Sequence, residues 1–246
     1  GIRDISVTGV QTCALPISVI AREAVRFIAE RDSLNAAILA PGAAPGSPEF
    51  DLFIKEVAKE MTVKAGQKCT AIRRALAPSA QLDAVISALR DRLAKVVVGN
   101  PASDNVRMGP LVGLAQRNDV LAHVAKLRTE AELVAGDPDN FALVDADAKR
   151  GAFVPPLLLH CAKPLAATAV HEIEAFGPVC TVMGYDDLDQ AIALTNRGGG
   201  SLVASVYTHD IDAATELTFG IGSFHGRVAI IDRDCATEHT DRKSVV

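Results

Sequence analysis

Ala65-Gly66-Gln67-Lys68-Cys69-Thr70-Ala71-Ile72-Arg73-Arg74 joins a stretch of helical periodicity to a run of small apolar residues, and this junction decides the fold. Upstream of it, Phe50, Phe53, Val57 and Met61 fall on one stripe, while Lys55, Glu56, Lys59 and Glu60 fall mostly outside it. That pattern predicts an amphipathic helix over Asp51–Lys64, with Gly66 suited to the position just past its C-terminus. Downstream, Ala71–Ala77 predicts a strand ended by Pro78. A thiol held in a small-residue turn between helix and strand is presented to a cleft, which makes Cys69 a candidate nucleophile. Gly66 permits close backbone approach, and Lys68 favours the thiolate where its ammonium lies near. Amide N–H groups of the turn can stabilise an oxyanion. Glu30, upstream in Glu30-Arg31-Asp32-Ser33-Leu34-Asn35, supplies a separate carboxylate base. Nucleophilic sulfur plus carboxylate base is the equipment of an acyl-enzyme mechanism.

Working outward, Ala36–Leu39 reads as a buried strand stopped by the breaker-rich stretch Pro41–Pro48. Ile20–Ile28 is an apolar-rich helix end or strand. Ser79 is placed to cap a second helix whose inner face is Leu82, Val85, Ile86, Leu89 and Leu93. A third helix is predicted over Gln116–Thr129, then strands at Leu157–Leu159 and Val179–Met183. Helix Asp187–Asn196 is ended by Gly198-Gly199-Gly200, and strand Leu202–Tyr207, helix Ile211–Phe219 and strand Val228–Ile231 follow. Strands alternating with helices predict an α/β fold, a mostly parallel twisted sheet with helices on both faces.

Composition narrows the function. The 246 residues carry a net charge of −5, against the basic face of a nucleic-acid binder. Aromatic residues are 4% and Trp is absent, while Ala, Val and Leu dominate, as in parallel sheets covered on both faces. No apolar run reaches the length of a membrane span. Cys69, Cys161, Cys180 and Cys235 are irregularly spaced, which argues against a disulfide framework and for a reducing, cytoplasmic setting. The last three have no setting like that of Cys69 and read as packed thiols. No metal site is expected: His160, Cys161, His171, Cys235 and His239 match no paired ligand spacing. Gly198–Ser201 lacks the Gly-Lys-Ser/Thr ending of a phosphate loop. His225, between Phe224 and Gly226, reads as structural; acting as a base, it would make the chain a cysteine-dependent thioester hydrolase.

Both termini read differently. Gly1–Ser18 and Asp241–Val246 resemble translated sequencing-adapter DNA, so residues 1–18 and 241–246 are expected not to be native. The expected organisation of the rest is the end of a coenzyme-binding domain over 19–34 and a catalytic domain over 35–240.

Gly66–Thr70, Met108-Gly109-Pro110-Leu111, Phe153-Val154-Pro155-Pro156 and Glu174-Ala175-Phe176-Gly177-Pro178-Val179 together resemble the aldehyde dehydrogenase superfamily, in the family's order. Asp32–Asn35, Ala65–Arg74 and Gly198–Leu202 narrow the resemblance to the aldehyde dehydrogenase half of bifunctional phenylacetate-degradation enzymes, which pair it with an oxepin-CoA hydrolase domain. The resemblance implies Cys69 as nucleophile and Glu30 as general base for deacylation. It implies Glu174 on the nicotinamide-ribose hydroxyls and Phe176 near the nicotinamide ring. The implied cofactor is NADP, with NAD as alternative. The implied substrate is a CoA-thioester semialdehyde (3-oxo-5,6-dehydrosuberyl-CoA semialdehyde), and the implied parent is a homo-oligomer. The semialdehyde dehydrogenase of aerobic benzoyl-CoA breakdown and a non-catalytic scaffold domain are the rival readings. Asp232 departs from the family, which often carries Asn there. Most of a coenzyme domain is not in the chain, so the polypeptide alone is expected to be inactive.

Overall fold

The computed structural model of the chain describes residues 32–236. Seven strands form one sheet: β1 (Ala36–Leu39), β2 (Arg74–Pro78), β3 (Glu132–Ala135), β4 (Leu157–Cys161), β5 (Val179–Tyr185), β6 (Ser201–Tyr207) and β7 (His225–Ile231). Their order is β3-β4-β5-β2-β1-β6-β7. Every pairing is parallel except that of β3 with β4, so β3 is an antiparallel edge. The helices are α1 (Pro48–Thr62), α2 (Leu82–Leu93), α3 (Leu114–Leu127), α4 (Ala169–Glu172), α5 (Leu188–Asn196) and α6 (Ile211–Ile221).

Strand alternation divides the core. Ala37 and Leu39 of β1 turn to one face, where Phe53, Val57 and Met61 of α1 and Val85, Leu89 and Leu93 of α2 cover them. Ala36 and Ile38 turn to the other, against Ala191 and Leu194 of α5 and Leu217 and Ile221 of α6. On that second face Leu157 and Leu159 of β4 meet Val120, Val124 and Leu127 of α3. Helices thus cover both faces, as expected. Among the described residues no helix is long and apolar enough to cross a membrane.

Several boundaries differ from expectation. α1 begins earlier, because Ser47 caps it by accepting from the Phe50 N–H and Pro48 sits in its first turn. Ser79 makes no side-chain cap; it opens a short 3-10 turn before α2. Segment 71–73 is not yet strand, since pairing with β1 starts at Arg74 opposite Ala36. The half-exposed β3 and the one-turn α4 escaped the periodicity reading. Ile20–Ile28 and the terminal stretches lie outside the described residues.

The three glycines after α5 have separate causes. A Cβ on Gly198 would lie 2.2 Å from the Arg74 guanidinium, and Gly199 sits at φ +69°. Gly200 sits at φ +98°, where a Cβ would lie 2.5 Å from the Phe224 carbonyl oxygen.

Candidate active site

The registers align the amino ends of four central strands: Thr181, Arg74, Ala36 and Ala204 lie side by side across β5, β2, β1 and β6. The segments just before those strands therefore converge on one edge of the sheet. They hold Gly66–Ile72, Ser33–Asn35 and Glu174–Pro178, the motifs singled out in the sequence.

The Cys69 turn is built from unusual backbone. After α1, Lys64, Ala65 and Gly66 are successively left-handed, with φ 54°, 52° and 70°. Non-glycine residues adopt this region at a cost of order 1 kcal/mol each, and such strain clusters at functional sites. At Gly66 a Cβ would come within 2.1 Å of the Gly177 carbonyl oxygen, so the turn packs directly on the Glu174–Pro178 segment. The Lys68 N–H donates to the Gly66 carbonyl at 2.9 Å and the Ala71 N–H to the Lys68 carbonyl at 3.1 Å. Cys69 is exposed at the tip and is a free thiol. Among the described residues, neither the Cys69 nor the Thr70 amide N–H is hydrogen-bonded.

Asn35, fully buried, holds this turn from beneath. Its Nδ2 donates to the carbonyl oxygens of Cys69 at 2.8 Å and Ala71 at 2.9 Å. Its Oδ1 accepts from the Ser33 hydroxyl and from the Val203 N–H, both at 2.9 Å. One amide thus fixes the backbone around Cys69 to both neighbouring strands. The sequence reading noted Asn35 only as part of a motif; contacts this distant along the chain leave no local signature.

Lys68 has a partner on the preceding helix. Its ammonium lies 2.7 Å from Oε1 of the buried Glu60, an ion pair almost out of solvent. Glu60 on α1 thus holds the end of the Lys68 side chain. Cys161 and Cys180 are packed thiols, and burial pushes Cys180 up to about 12. Cys235 is half-exposed, which the sequence did not foresee.

Glu174 is buried with both oxygens engaged: Oε1 accepts from Arg73 Nε and Oε2 from the Ser33 N–H, each at 3.1 Å. Phe176, 41% exposed, faces a cavity of about 560 Å³ shared with Lys64, Gln67, Gly109, Pro110 and Val112. Gln67 Oε1 accepts from the Val112 N–H at 2.8 Å, joining the Cys69 turn to the segment just after the Met108–Leu111 motif. The structure thus brings together the Cys69 turn, Glu174 and Phe176. Glu30 lies outside the described residues. His225 is elsewhere: it starts β7, two strands beyond β1, and its Nδ1 is 2.8 Å from the Ser201 hydroxyl. Asp232 Oδ1 accepts from the Asp234 and Cys235 N–H groups, so it shapes the turn after β7.

A second buried cation supports the site. Arg74 is fully buried and donates to the Leu34, Leu194 and Thr195 carbonyls. The latter two belong to the C-terminal turn of α5, where unpaired carbonyls concentrate negative potential. Beside it, His171 Nδ1 is 3.4 Å from Arg74 Nη1, and His171 Nε2 is 2.9 Å from the Pro164 carbonyl. Arginine only donates and a carbonyl only accepts, so His171 is neutral with its proton on Nε2. Burial, aided by the Arg74 charge, pushes His171 down to about 4. The unfolded chain, with histidine near 6.5, binds this proton more readily. Stability therefore falls as pH drops from about 6.5 toward 4, with roughly 2 kcal/mol lost by pH 5. Urea midpoints of the chain at pH 7.5 and pH 5 are expected to show this loss, and His171→Gln to remove most of it. An equal loss in both proteins would contradict the assignment.

With that geometry in hand, comparison with known proteins is direct. The profile of the aldehyde dehydrogenase family matches residues 1–231. The chain belongs to the aldehyde dehydrogenase family. It is 51% identical over 229 residues to the 3,4-dehydroadipyl-CoA semialdehyde dehydrogenase of Aromatoleum evansii, covering 93% of this chain and 44% of that protein. Protein MaoC of Klebsiella aerogenes is 40% identical over 139 residues, 56% of this chain and 39% of its own length. Among solved structures, betaine aldehyde dehydrogenase from Staphylococcus aureus in complex with NAD+ superposes with TM-score 0.75 at 26% identity. That match covers 91% of this chain and 42% of the other. The chain spans less than half the length of these relatives.

Proposed function

We propose that the chain forms the catalytic part of a nicotinamide-dependent, aldehyde-oxidising enzyme whose substrate is a semialdehyde carried on coenzyme A. The observation that carries this reading is the exposed Cys69 on a strained, doubly anchored turn packed against Glu174–Pro178. Attack of the Cys69 thiolate on the aldehyde carbon gives a hemithioacetal oxyanion, and the Cys69 and Thr70 N–H groups are the donors placed to receive it. A nicotinamide bound at the site supplies the two-electron acceptor. Oxidation at carbon leaves an acyl thioester on Cys69. Glu30 then takes a proton from water, and the resulting hydroxide equivalent cleaves the thioester, releasing the acid and the free thiol.

The residues present fit such a cofactor. Glu174 has acceptor capacity left beyond its two hydrogen bonds, which suits ribose hydroxyls. Phe176 presents an exposed ring to a cavity beside the nucleophile turn, which suits a nicotinamide face. NAD+ in the betaine aldehyde dehydrogenase complex supports the cofactor class. The name of the Aromatoleum relative, a 3,4-dehydroadipyl-CoA semialdehyde dehydrogenase, supports a CoA-linked semialdehyde and, at 51% identity, favours a dehydroadipyl chain over the longer dehydrosuberyl chain of phenylacetate breakdown. We place the enzyme in the cytoplasm.

Glu30→Gln in the complete protein tests the scheme. Expected is a burst of about one reduced cofactor per site, followed by turnover slowed about 100-fold or more, because a positioned base contributes about that factor. Assay of both semialdehydes decides the chain length. Unchanged steady-state turnover in the variant would remove Glu30 from the mechanism.

A further inference from the structure

We propose that Arg73 is the positioning residue that presents Glu174 and Phe176 to the nicotinamide riboside; this rests on the function proposed above. Its guanidinium is almost fully buried and uses each nitrogen on a different backbone or side-chain group. Nε donates to Glu174 Oε1 at 3.1 Å, Nη1 to the Gly177 carbonyl at 2.7 Å and Nη2 to the Gly66 carbonyl at 2.8 Å. The same guanidinium lies 5.2 Å from the centroid of the Phe176 ring, within cation–π range. One planar group therefore sets the carboxylate, the ring and the backbone between them, and ties all three to the turn that carries Cys69.

The root of the side chain is equally fixed. The Arg73 N–H donates to the Asn35 carbonyl at 3.0 Å, and the Arg73 carbonyl accepts from the Thr181 N–H at 2.9 Å. Burial pulls Arg73 down from its ordinary value, and the neighbouring Glu174 carboxylate opposes that pull. A buried ion pair of this kind adds little net stability, because desolvation offsets attraction. What it does supply is direction: the planar guanidinium, pinned by the Gly177 and Gly66 carbonyls through Nη1 and Nη2, offers Nε to Glu174 Oε1 from one fixed side. With Oε1 drawn to Arg73 and Oε2 to the Ser33 N–H, the carboxylate plane is fixed and its remaining lone pairs point the same way in every molecule. Lysine carries its donors on a single nitrogen, so it cannot reproduce three bonds made from three nitrogens held in one plane, and it leaves the carboxylate freer to turn.

The test compares unaltered, Arg73→Lys, Glu174→Gln and doubly substituted complete protein. Equilibrium binding of NAD and of NADP is measured, together with the rate of Cys69 alkylation by iodoacetamide and the thermal midpoint. Arg73→Lys is expected to weaken cofactor binding about tenfold or more, as loss of hydrogen bonds to charged groups does, with alkylation changed less than about twofold. In the double variant the two losses are not additive, because Arg73 acts through Glu174. Unchanged cofactor affinity in folded Arg73→Lys overturns the inference and leaves the proposed function standing. So do additive losses, or cofactor affinity and alkylation falling together, which mark a merely structural arginine. Failure of the unaltered protein to bind either nucleotide sinks the proposed function, and this inference with it.

Discussion

Cys69→Ala in the complete protein is expected to lower aldehyde oxidation by about 10⁴-fold or more, with the thermal midpoint unchanged within about 1 °C. On the proposed mechanism the activity loss follows from removing the sulfur that bonds to substrate, because the remaining groups bind and polarise but form no acyl intermediate. The unchanged stability follows from exposure: the thiol sits at a turn tip and the anchoring contacts run through the Cys69 carbonyl, not its side chain. Exposed substitutions of this kind usually fall within about 0.5 kcal/mol. Steady-state assay and a melting curve check both halves. Retained turnover would favour a non-catalytic role for the thiol, and a collapsed melting curve would mean that the side chain is structural.

Arg74→Ala is expected to be among the most destabilising single changes, costing about 3–5 kcal/mol, since it empties a fully buried site, orphans the Leu34 and Leu194 carbonyls and strips a donor from Thr195, which keeps the Gly198 N–H. The two arginines side by side in the sequence have opposite surroundings. Arg73 faces a carboxylate, whereas Arg74 is compensated by carbonyls at the end of α5 and at Leu34. Burial pulls Arg74 down to about 10, so it stays charged at neutral pH. Leu34 precedes Asn35 in β1's approach, so losing Arg74 loosens the floor beneath the nucleophile turn as well as the helix end. Urea unfolding of the chain and of the variant measures the cost. A loss below about 1 kcal/mol would show that water or relaxation satisfies those carbonyls.

The pattern of legibility follows from distance along the chain. The α1 stripe, the buried strands and the glycine turn were readable because periodicity and breakers act within one element. Cys69 stood out for the same local reason, a thiol between Gly66 and a strand. Glu174 and Phe176 were legible only through resemblance, as isolated acidic and aromatic residues carry no spacing of their own. Asn35 and Arg73 were quoted as letters of motifs, without roles, because their partners lie across the fold: Cys69 for one, Glu174 and Gly177 for the other. The Lys68 partner was hidden for a related reason: Glu60 sits on the preceding helix, where the Lys68 side chain reaches only once the left-handed turn has folded the chain over. The start of α1 was missed because Ser47-Pro48 was read as the end of a breaker stretch, although Ser followed by Pro is also a helix start.

The most direct measurement is acid-quenched peptide mass spectrometry of the complete protein after mixing with a CoA-linked semialdehyde and a nicotinamide cofactor. Expected is the acyl mass on the peptide containing Cys69, accumulating further in Glu30→Gln. An acyl group on another residue, or oxidation of the aldehyde with Cys69 unmodified at every quench time, would contradict the thioester mechanism.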